Sequence, residues 1–481
     1  MLVLSGLGLV VMFDETMILP AVPDFIRQFH ISYSTSAWLL SSYIIAAAVM
    51  TPIGGKLADI YGKKKILLIV MGVYICGLVA GRFATNIDFM LAARAFQGVG
   101  MAMFPIAFGV IREVLAPKQM ALGQTIFGAT FPSGAIIGLV GGAAIIQSYG
   151  WQLTFVAILP PAIALWVMIL KFVKIPQMAN MQQHGGNSHN SSGDRTIDLK
   201  GTAALASAII TFLAGITFIQ SGAPETQFLI AGLFAASAAS VALLLFIEKR
   251  VSSPLLDFKL MRNRNFLPPT IILLLTFLSI FTVYLTVPVM VRSPQPLGFG
   301  GDALAVARVQ LPFMVVFLIG TVSSGFVLNK IRNTQLTLIG TCISAVGFMA
   351  LIAFHSTETA VIGGLTVLAA GLSLSITGGF NVVIVSVPIQ MTGIALGMTL
   401  LLNLVGMSVG PTVSGALQQA YQGSVQGVPG LFPTGQAYEL IFVIAAMISC
   451  AAVVLALLVA RAAPRAPPIM AEQSQGPPPA H

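Results

Sequence analysis

The chain has 481 residues, 57% of them hydrophobic and only 8% charged, with a mean hydropathy of +0.93. A soluble domain carries about 25% charged residues, so this composition excludes an ordinary water-soluble protein and describes a chain built for lipid. The formal net charge of +9 does not point to nucleic acid, because the basic residues sit in short stretches between apolar runs.

Apolar runs of about 20 residues predict about fourteen membrane-crossing helices. Their expected bounds are 3–23, 36–55, 66–86, 89–111, 121–146, 153–174, 200–219, 226–247, 267–290, 304–327, 335–355, 359–386, 393–419 and 438–461. Forty-seven glycines and 27 prolines suit closely packed and broken transmembrane helices. The first run has no basic n-region and no small-residue cleavage site, so it is expected to stay in the protein. It places two adjacent carboxylates, Asp14 and Glu15, where lipid should be. An ionised Asp at a bilayer centre costs on the order of 2.5–3.5 kcal/mol. Such a group needs a wet cavity, a partner or a proton, and each option makes it a functional candidate. The plainer alternative is a cap on a half-helix near Pro20.

An even number of crossings that starts in the cytoplasm puts both termini inside. Of the 24 lysines and arginines, all but Arg27, Arg82, Arg94, Arg292 and Arg308 then fall on the inner side. That bias fits the positive-inside rule. Residues 176–199 read as a polar cytoplasmic linker whose His184 and His189 are solvated, and 462–481, rich in Pro and Ala, as a disordered cytoplasmic tail. Cys76, Cys342 and Cys450 lie far apart in apolar runs and are expected to pack rather than pair or bind metal. The longer loop near 420–437 is a candidate cover for an outer vestibule.

After the second run comes Gly55-Lys56-Leu57-Ala58-Asp59-Ile60-Tyr61-Gly62-Lys63-Lys64-Lys65. Gly55 allows two helix ends to approach, Asp59 can accept from a neighbouring helix N-terminus, and Gly62 permits a tight turn. The stretch resembles the loop motif G-x-L-a-D-r-x-G-r-k of the major facilitator superfamily, in which Gly55, Asp59, Gly62, Lys63 and Lys64 would form a conformational-switch loop. A weaker copy, Gly325 to Arg332 with Asn329 in place of the acid, is what two parallel repeats would leave. Leu91 to Gly100 resembles the superfamily's l-x-x-x-R-x-x-q-G-x-g motif through Arg94, Gln97, Gly98 and Gly100. Arg94 cannot shed its proton. Counted at about 1.5 Å per residue it lies about 8 Å from the outer edge and Asp14 about 15 Å, so a long side chain bridges much of the gap.

The fifth run carries Gly134, Gly138, Gly141 and Gly142 as a close-packing face. It resembles the antiporter motif G-P-x-x-G-P-x-x-G-G, with Ala135 and Leu139 at the proline positions. Phe13 to Pro23, Trp151 to Pro161 and Pro254 to Phe266 resemble signatures of the fourteen-span drug/proton antiporters within the superfamily. The resemblance covers most of residues 1–461 and is strongest in the first 270.

It implies an all-α polytopic membrane protein of the major facilitator fold. The expected parts are a six-helix bundle over 1–175, the linker, two inserted helices over 200–250, a second six-helix bundle over 251–461, and the tail. It further implies a monomeric multidrug exporter of the cytoplasmic membrane, driven by protons, without cofactor, metal, catalytic constellation or nucleic-acid partner, and surrounded by lipid. Asp14 holds the family's proton-coupling position, with Arg94 as its partner. Glu15, turned about 100° from it, is a second proton site or the counter-charge of an amphipathic cationic substrate. Phe96, Gln97, Phe104, Gln124, Asn381 and Asn403 are candidate cavity contacts. A proton-coupled carrier of one metabolite (an organic acid, amino acid or siderophore) and a non-transporting receptor are the alternatives.

Overall fold

The computed structural model describes residues 2–114, 117–172, 199–219, 226–250, 258–327, 331–388 and 391–462. The expected linker, apart from Leu199, and the tail beyond Ala462 lie outside the described residues. Among the described residues, fourteen helical segments are long and apolar enough to cross a membrane. In chain order, spans 1 to 6 are Val3–Phe29, Tyr33–Ala58, Lys63–Arg82, Ile87–Ile111, Ala129–Tyr149 and Gln152–Lys171. Spans 7 and 8 are Lys200–Phe218 and Thr226–Glu248. Spans 9 to 14 are Leu267–Arg292, Ala303–Ser324, Asn333–Ala353, Glu358–Val385, Ile394–Ala420 and Gly435–Arg461.

Helices form here because a chain in lipid must satisfy its backbone groups within itself. Where they bend, the residues say why. Span 1 is helical over Leu2–Met17, tightens to a 3₁₀ turn at Leu19–Ala21 around Pro20, and resumes over Val22–Phe29. Span 4 carries a similar 3₁₀ turn at Val99–Ala102, which begins directly after Gly98. Gly62, at φ 95°, turns the chain between spans 2 and 3, a conformation a Cβ would oppose.

Spans 1 to 6 pack around one core that includes Leu7, Leu67, Met71, Tyr74, Phe127 and Phe155. The last six spans build a second around Phe348, Leu351, Leu368, Tyr438 and Phe442, and residues Tyr43, Ile44 and Leu139 of spans 2 and 5 join it at the seam. Spans 7 and 8 are central in the sequence but peripheral in space. They hold each other through Ser237 Oγ, which donates to the Ala208 carbonyl at 2.9 Å. Span 7 lies along the seam, where Leu205, Ile209 and Leu213 meet Ile45 of span 2 and Leu401 of span 13. Trp38 Nε1 donates to Thr217 Oγ1 at 3.0 Å. Span 8 turns Phe228, Leu243 and Phe246 outward.

Between spans 13 and 14 the structure adds strands β1, Gln422–Val425, and β2, Val428–Pro433, paired antiparallel. This hairpin was not expected of an all-helical chain. The Tyr33 hydroxyl donates to its Leu431 carbonyl at 3.4 Å. The three cysteines are free and exposed, so they lie on outward helix faces and not in the core as expected.

Candidate functional site

Span 4 presents Met90, Ala93, Arg94, Gln97 and Gly98 as its buried face, the i, i+3, i+4, i+7, i+8 spacing of one helix side. Glycines bring the neighbouring helices close enough to enclose it. A Cβ on Gly98 would overlap the Tyr43 carbonyl of span 2, and one on Gly77 of span 3 would stand 2.8 Å from the Gln97 nitrogen. Arg94 is therefore delivered into the middle of the first bundle and is fully buried.

Its guanidinium is held from several directions. Nη1 donates to Gln97 Oε1 at 2.6 Å and Nε to the Leu39 carbonyl at 3.2 Å. The group stacks 4.5 Å from the Tyr43 ring centroid, an attraction that strengthens when water is excluded. Gln97 is fixed in turn, its Nε2 donating to the Gly77 carbonyl at 2.9 Å. Span 1 is tied in by the Tyr74 hydroxyl, which donates to the Val10 carbonyl at 3.4 Å.

Asp14 faces this cluster. Its Oδ2 lies 3.5 Å from Arg94 Nη1, with both side chains fully buried. That separation exceeds the 2.7–2.9 Å usual for a charge-assisted hydrogen bond. Neither Asp14 oxygen, nor Arg94 Nη2, has a hydrogen-bond partner among the described residues. A buried polar group in that condition needs an explanation. The pair attract each other, yet the carboxylate keeps its lone pairs free. Removing one partner of a buried pair costs about 3–5 kcal/mol when the other charge is left alone, but Arg94 would still have Gln97, Leu39 and Tyr43. The site can lose the charge on Asp14 without orphaning the arginine.

The expected cavity contacts divide. Gln97 is spent on Arg94 and Gly77 and is fully buried, so it supports the arginine and does not line a cavity. Phe96 projects from the opposite side of span 4 and is 52% exposed, away from the Arg94 cluster. Phe104 is packed, its ring stacked on Phe131 at 4.1 Å and edge-on to Phe127. The Asn381 amide donates to its own helix at Thr377. Asn403 is 2% exposed with neither amide atom partnered among the described residues. The Gln124 side chain lies outside the described residues.

In the loop motif, the tight contact belongs to Gly54, where a Cβ would stand 2.7 Å from that of Ala102; the nearest atom to Gly55 is 3.9 Å away. This corrects the role expected of Gly55. The Asp59 side chain lies outside the described residues. Lys64 Nζ donates to the Leu170 carbonyl at 2.9 Å, and the Lys63 stem covers Gly109. In span 5, Gly134, Gly138 and Gly142 seat against Leu9, Phe13 and Met17 of span 1. Gly141 is looser, 3.5 Å from the Phe13 ring, and is not part of the tight stripe.

Reasoning from the sequence missed Tyr43, whose depth gives it away: seven residues into the second predicted helix, it lies about 10 Å below the edge, level with Arg94. It also missed a seam contact at the end of the molecule where spans 1 and 2 join. Asp24 Oδ1 accepts from Arg292 Nη2 at 2.9 Å, and Arg292 Nη1 also reaches Asp24 Oδ2 and the Pro20 carbonyl. Nearby, the Tyr33 amide donates to Gln419 Oε1 at 3.0 Å, Ser41 Oγ to the Ser408 carbonyl at 3.0 Å, and the Ala303 amide to Gln147 Oε1 at 3.2 Å. These contacts close the bundles on each other at the Asp24 end.

The family model described as Major Facilitator Superfamily matches residues 4–411. Among relatives, the multidrug resistance protein Stp of Mycobacterium tuberculosis is 24% identical over 425 residues, covering 87% of this chain and 76% of that one. The multidrug efflux pump LfrA of Mycolicibacterium smegmatis is 26% identical over 445 residues, covering 90% and 83%. Among solved structures, a bacterial homologue of the human lysosomal transporter Spinster aligns with a TM-score of 0.67 at 14% identity, covering 96% of both chains. The xylose transporter XylE from E. coli aligns at 0.61 and 14% identity, covering 96% of this chain and 98% of that one.

Proposed function

This chain belongs to the major facilitator superfamily, and we propose that it exports amphipathic, cationic compounds in exchange for protons by alternating access. As a multi-pass membrane protein of that superfamily with multidrug-transporter relatives, it is a secondary transporter and not an enzyme. The observation that carries the finer reading is the buried Asp14–Arg94 pair, whose carboxylate has no hydrogen-bond partner among the described residues.

Asp14 is the proton site. Ionised, it leans on the Arg94 field; protonated, it leaves an arginine still held by Gln97, Leu39 and Tyr43. The carboxyl can thus change charge while the bundle keeps its shape. Asp14 and Glu15 are both buried in the first bundle with the single buried arginine Arg94 among the described residues, an excess of negative charge that favours a cation as cargo. Proton and cation compete for the same negative charge, and that competition couples the two fluxes. The distribution of basic residues supports a plasma-membrane orientation with the Asp24 end outside and both termini on the cytoplasmic side. This conformation is then closed to the exterior, and the two six-helix groups are the bodies that rock.

The test is proton movement in everted membrane vesicles. Adding an amphipathic cation to vesicles with an acidified lumen should release protons with the wild type, and Asp14→Asn should abolish the release while remaining folded and inserted. If no member of a broad cationic panel releases protons with the wild type, the chain carries one particular metabolite instead.

A further inference from the structure

We infer that the cavity at the Asp24 end of the seam binds a small hydrophilic carboxylate, which holds the two bundles together there. The inference goes beyond the exporter reading: this ligand is not the cargo, and its binding needs only the geometry of the closed seam.

The cavity measures about 390 Å³, within the size range of small-molecule sites. Both bundles build it. Span 1 supplies Asp24 and Gln28, the facing ends of spans 5 and 6 supply Gln147 and Gln152, and Arg292 of span 9 closes it from the other bundle. Gln28 and Gln147 are exposed, so solvent reaches the lining. The large apolar residues of the lining, Ile146 and Trp151, are themselves buried, so a ligand meets chiefly polar surface.

The hydrogen bonds already made decide the chemistry of that ligand. Asp24 Oδ1 accepts from Arg27 Nη2 at 2.6 Å and from Arg292 Nη2 at 2.9 Å, and Oδ2 accepts from Arg292 Nη1. One carboxylate thus stands between two guanidiniums, which leaves a surplus of positive charge. Gln28 Oε1 accepts from Trp151 Nε1 at 2.7 Å, and Gln147 Oε1 from the Ala303 amide at 3.2 Å. Each glutamine is fixed by its oxygen and keeps its Nε2 donor without a partner among the described residues.

The acceptors are used and donors are left. A carboxylate answers both conditions, because its oxygens accept from amides and guanidiniums and its charge balances the surplus. An amphipathic cation answers neither. Gln28 belongs to one bundle and Arg292 to the other, so the site is whole only while the seam is shut. By linkage, its ligand favours that state. A carboxylate on the Asp24 side therefore slows a cycle that has to open there.

The experiment is calorimetric titration of the purified full-length protein in phosphatidylcholine nanodiscs, at constant ionic strength, with succinate and with neutral succinamide. Wild type should bind succinate about tenfold tighter or more, as charge-assisted hydrogen bonds require. Gln28→Glu and Gln147→Glu each keep an oxygen for the Trp151 or Ala303 N–H but replace the free donor with negative charge. Each should cut the succinate-to-succinamide affinity ratio about tenfold. Ratios within one variant cancel a general loss of folded protein. A second readout follows the seam through spin labels at Phe83→Cys and Phe354→Cys, exposed positions after spans 3 and 11 at this end, in a cysteine-free background. Succinate should enrich the shorter distance. The site is overturned if wild type binds succinate no tighter than succinamide, or if either variant keeps the wild-type ratio. An unchanged distance distribution overturns the clamp. If succinate binding disappears in phosphatidylglycerol nanodiscs, a lipid phosphate fills the cavity and the soluble ligand is overturned. The exporter reading stands or falls separately, on proton release.

Discussion

Arg94 shows how a permanent cation is kept inside a membrane bundle: by a set of unequal partners, none of which owns it. Gln97 supplies the shortest contact, at 2.6 Å, so Gln97→Leu should leave Nη1 with only the distant Asp14 and cost about 1–3 kcal/mol. Thermal unfolding in detergent should show a lowered midpoint, and a midpoint equal to wild type would mean that Leu39, Tyr43 and Asp14 hold the arginine without Gln97. Arg94→Lys is not conservative, because one ammonium cannot stack on Tyr43 while also reaching Leu39 and Gln97. It should lose most proton coupling in the vesicle assay. At this scale the sequence was partly legible. Depth counting brought Asp14 and Arg94 within reach of each other, because the rise of a helix is fixed. It could not say that Gln97 turns toward its own i−3 neighbour and away from a cavity, since that choice depends on Gly77 opening its carbonyl across a close helix contact.

Among the elements, the pairing of spans 1 and 5 depends on the absence of side chains at three positions spaced by four. A Cβ on Gly138 would stand 2.5 Å from the Phe13 carbonyl, and on Gly142 2.7 Å from the Met17 backbone. Backbone cannot step aside cheaply, so Gly138→Val should cost about 1–3 kcal/mol or more through overpacking. Gly141→Ala, facing only the Phe13 ring at 3.5 Å, should leave the unfolding midpoint within error of wild type. Equal losses at the two positions would contradict the stripe. Gly54 and Gly55 give a second such pair, with Ala at Gly54 the costlier. The motif resemblances point to stretches rich in glycine but not to the individual glycine that bears a neighbour. Contact across helices decides that, and a single sequence carries no record of it.

At the scale of the whole molecule, hydropathy made the fourteen crossings legible because lipid forces each one to be a helix and forces charge to its ends. The seam was not legible. Asp24 and Arg292 lie 268 residues apart, and neither stands out locally from other polar residues near a span end. Their clamp should bias the molecule toward the state closed at the Asp24 end. In a cysteine-free background, Asp24→Asn should shift spin-label distances between Gln28→Cys and Gln295→Cys toward a longer population. A partly buried ion pair at the molecule's end, worth about 0.2–1 kcal/mol, changes the ratio of states only about one- to fivefold; an unchanged distribution would mean that the other seam contacts suffice. The central claim, that Asp14 couples a proton to an outgoing cation, is tested most directly in proteoliposomes with an inside-acid pH gradient and the electrical potential clamped. Wild type should accumulate ethidium above its external concentration, and Asp14→Asn should bring it only to equilibrium. Accumulation by Asp14→Asn equal to wild type, or by wild type without the gradient, would contradict the account.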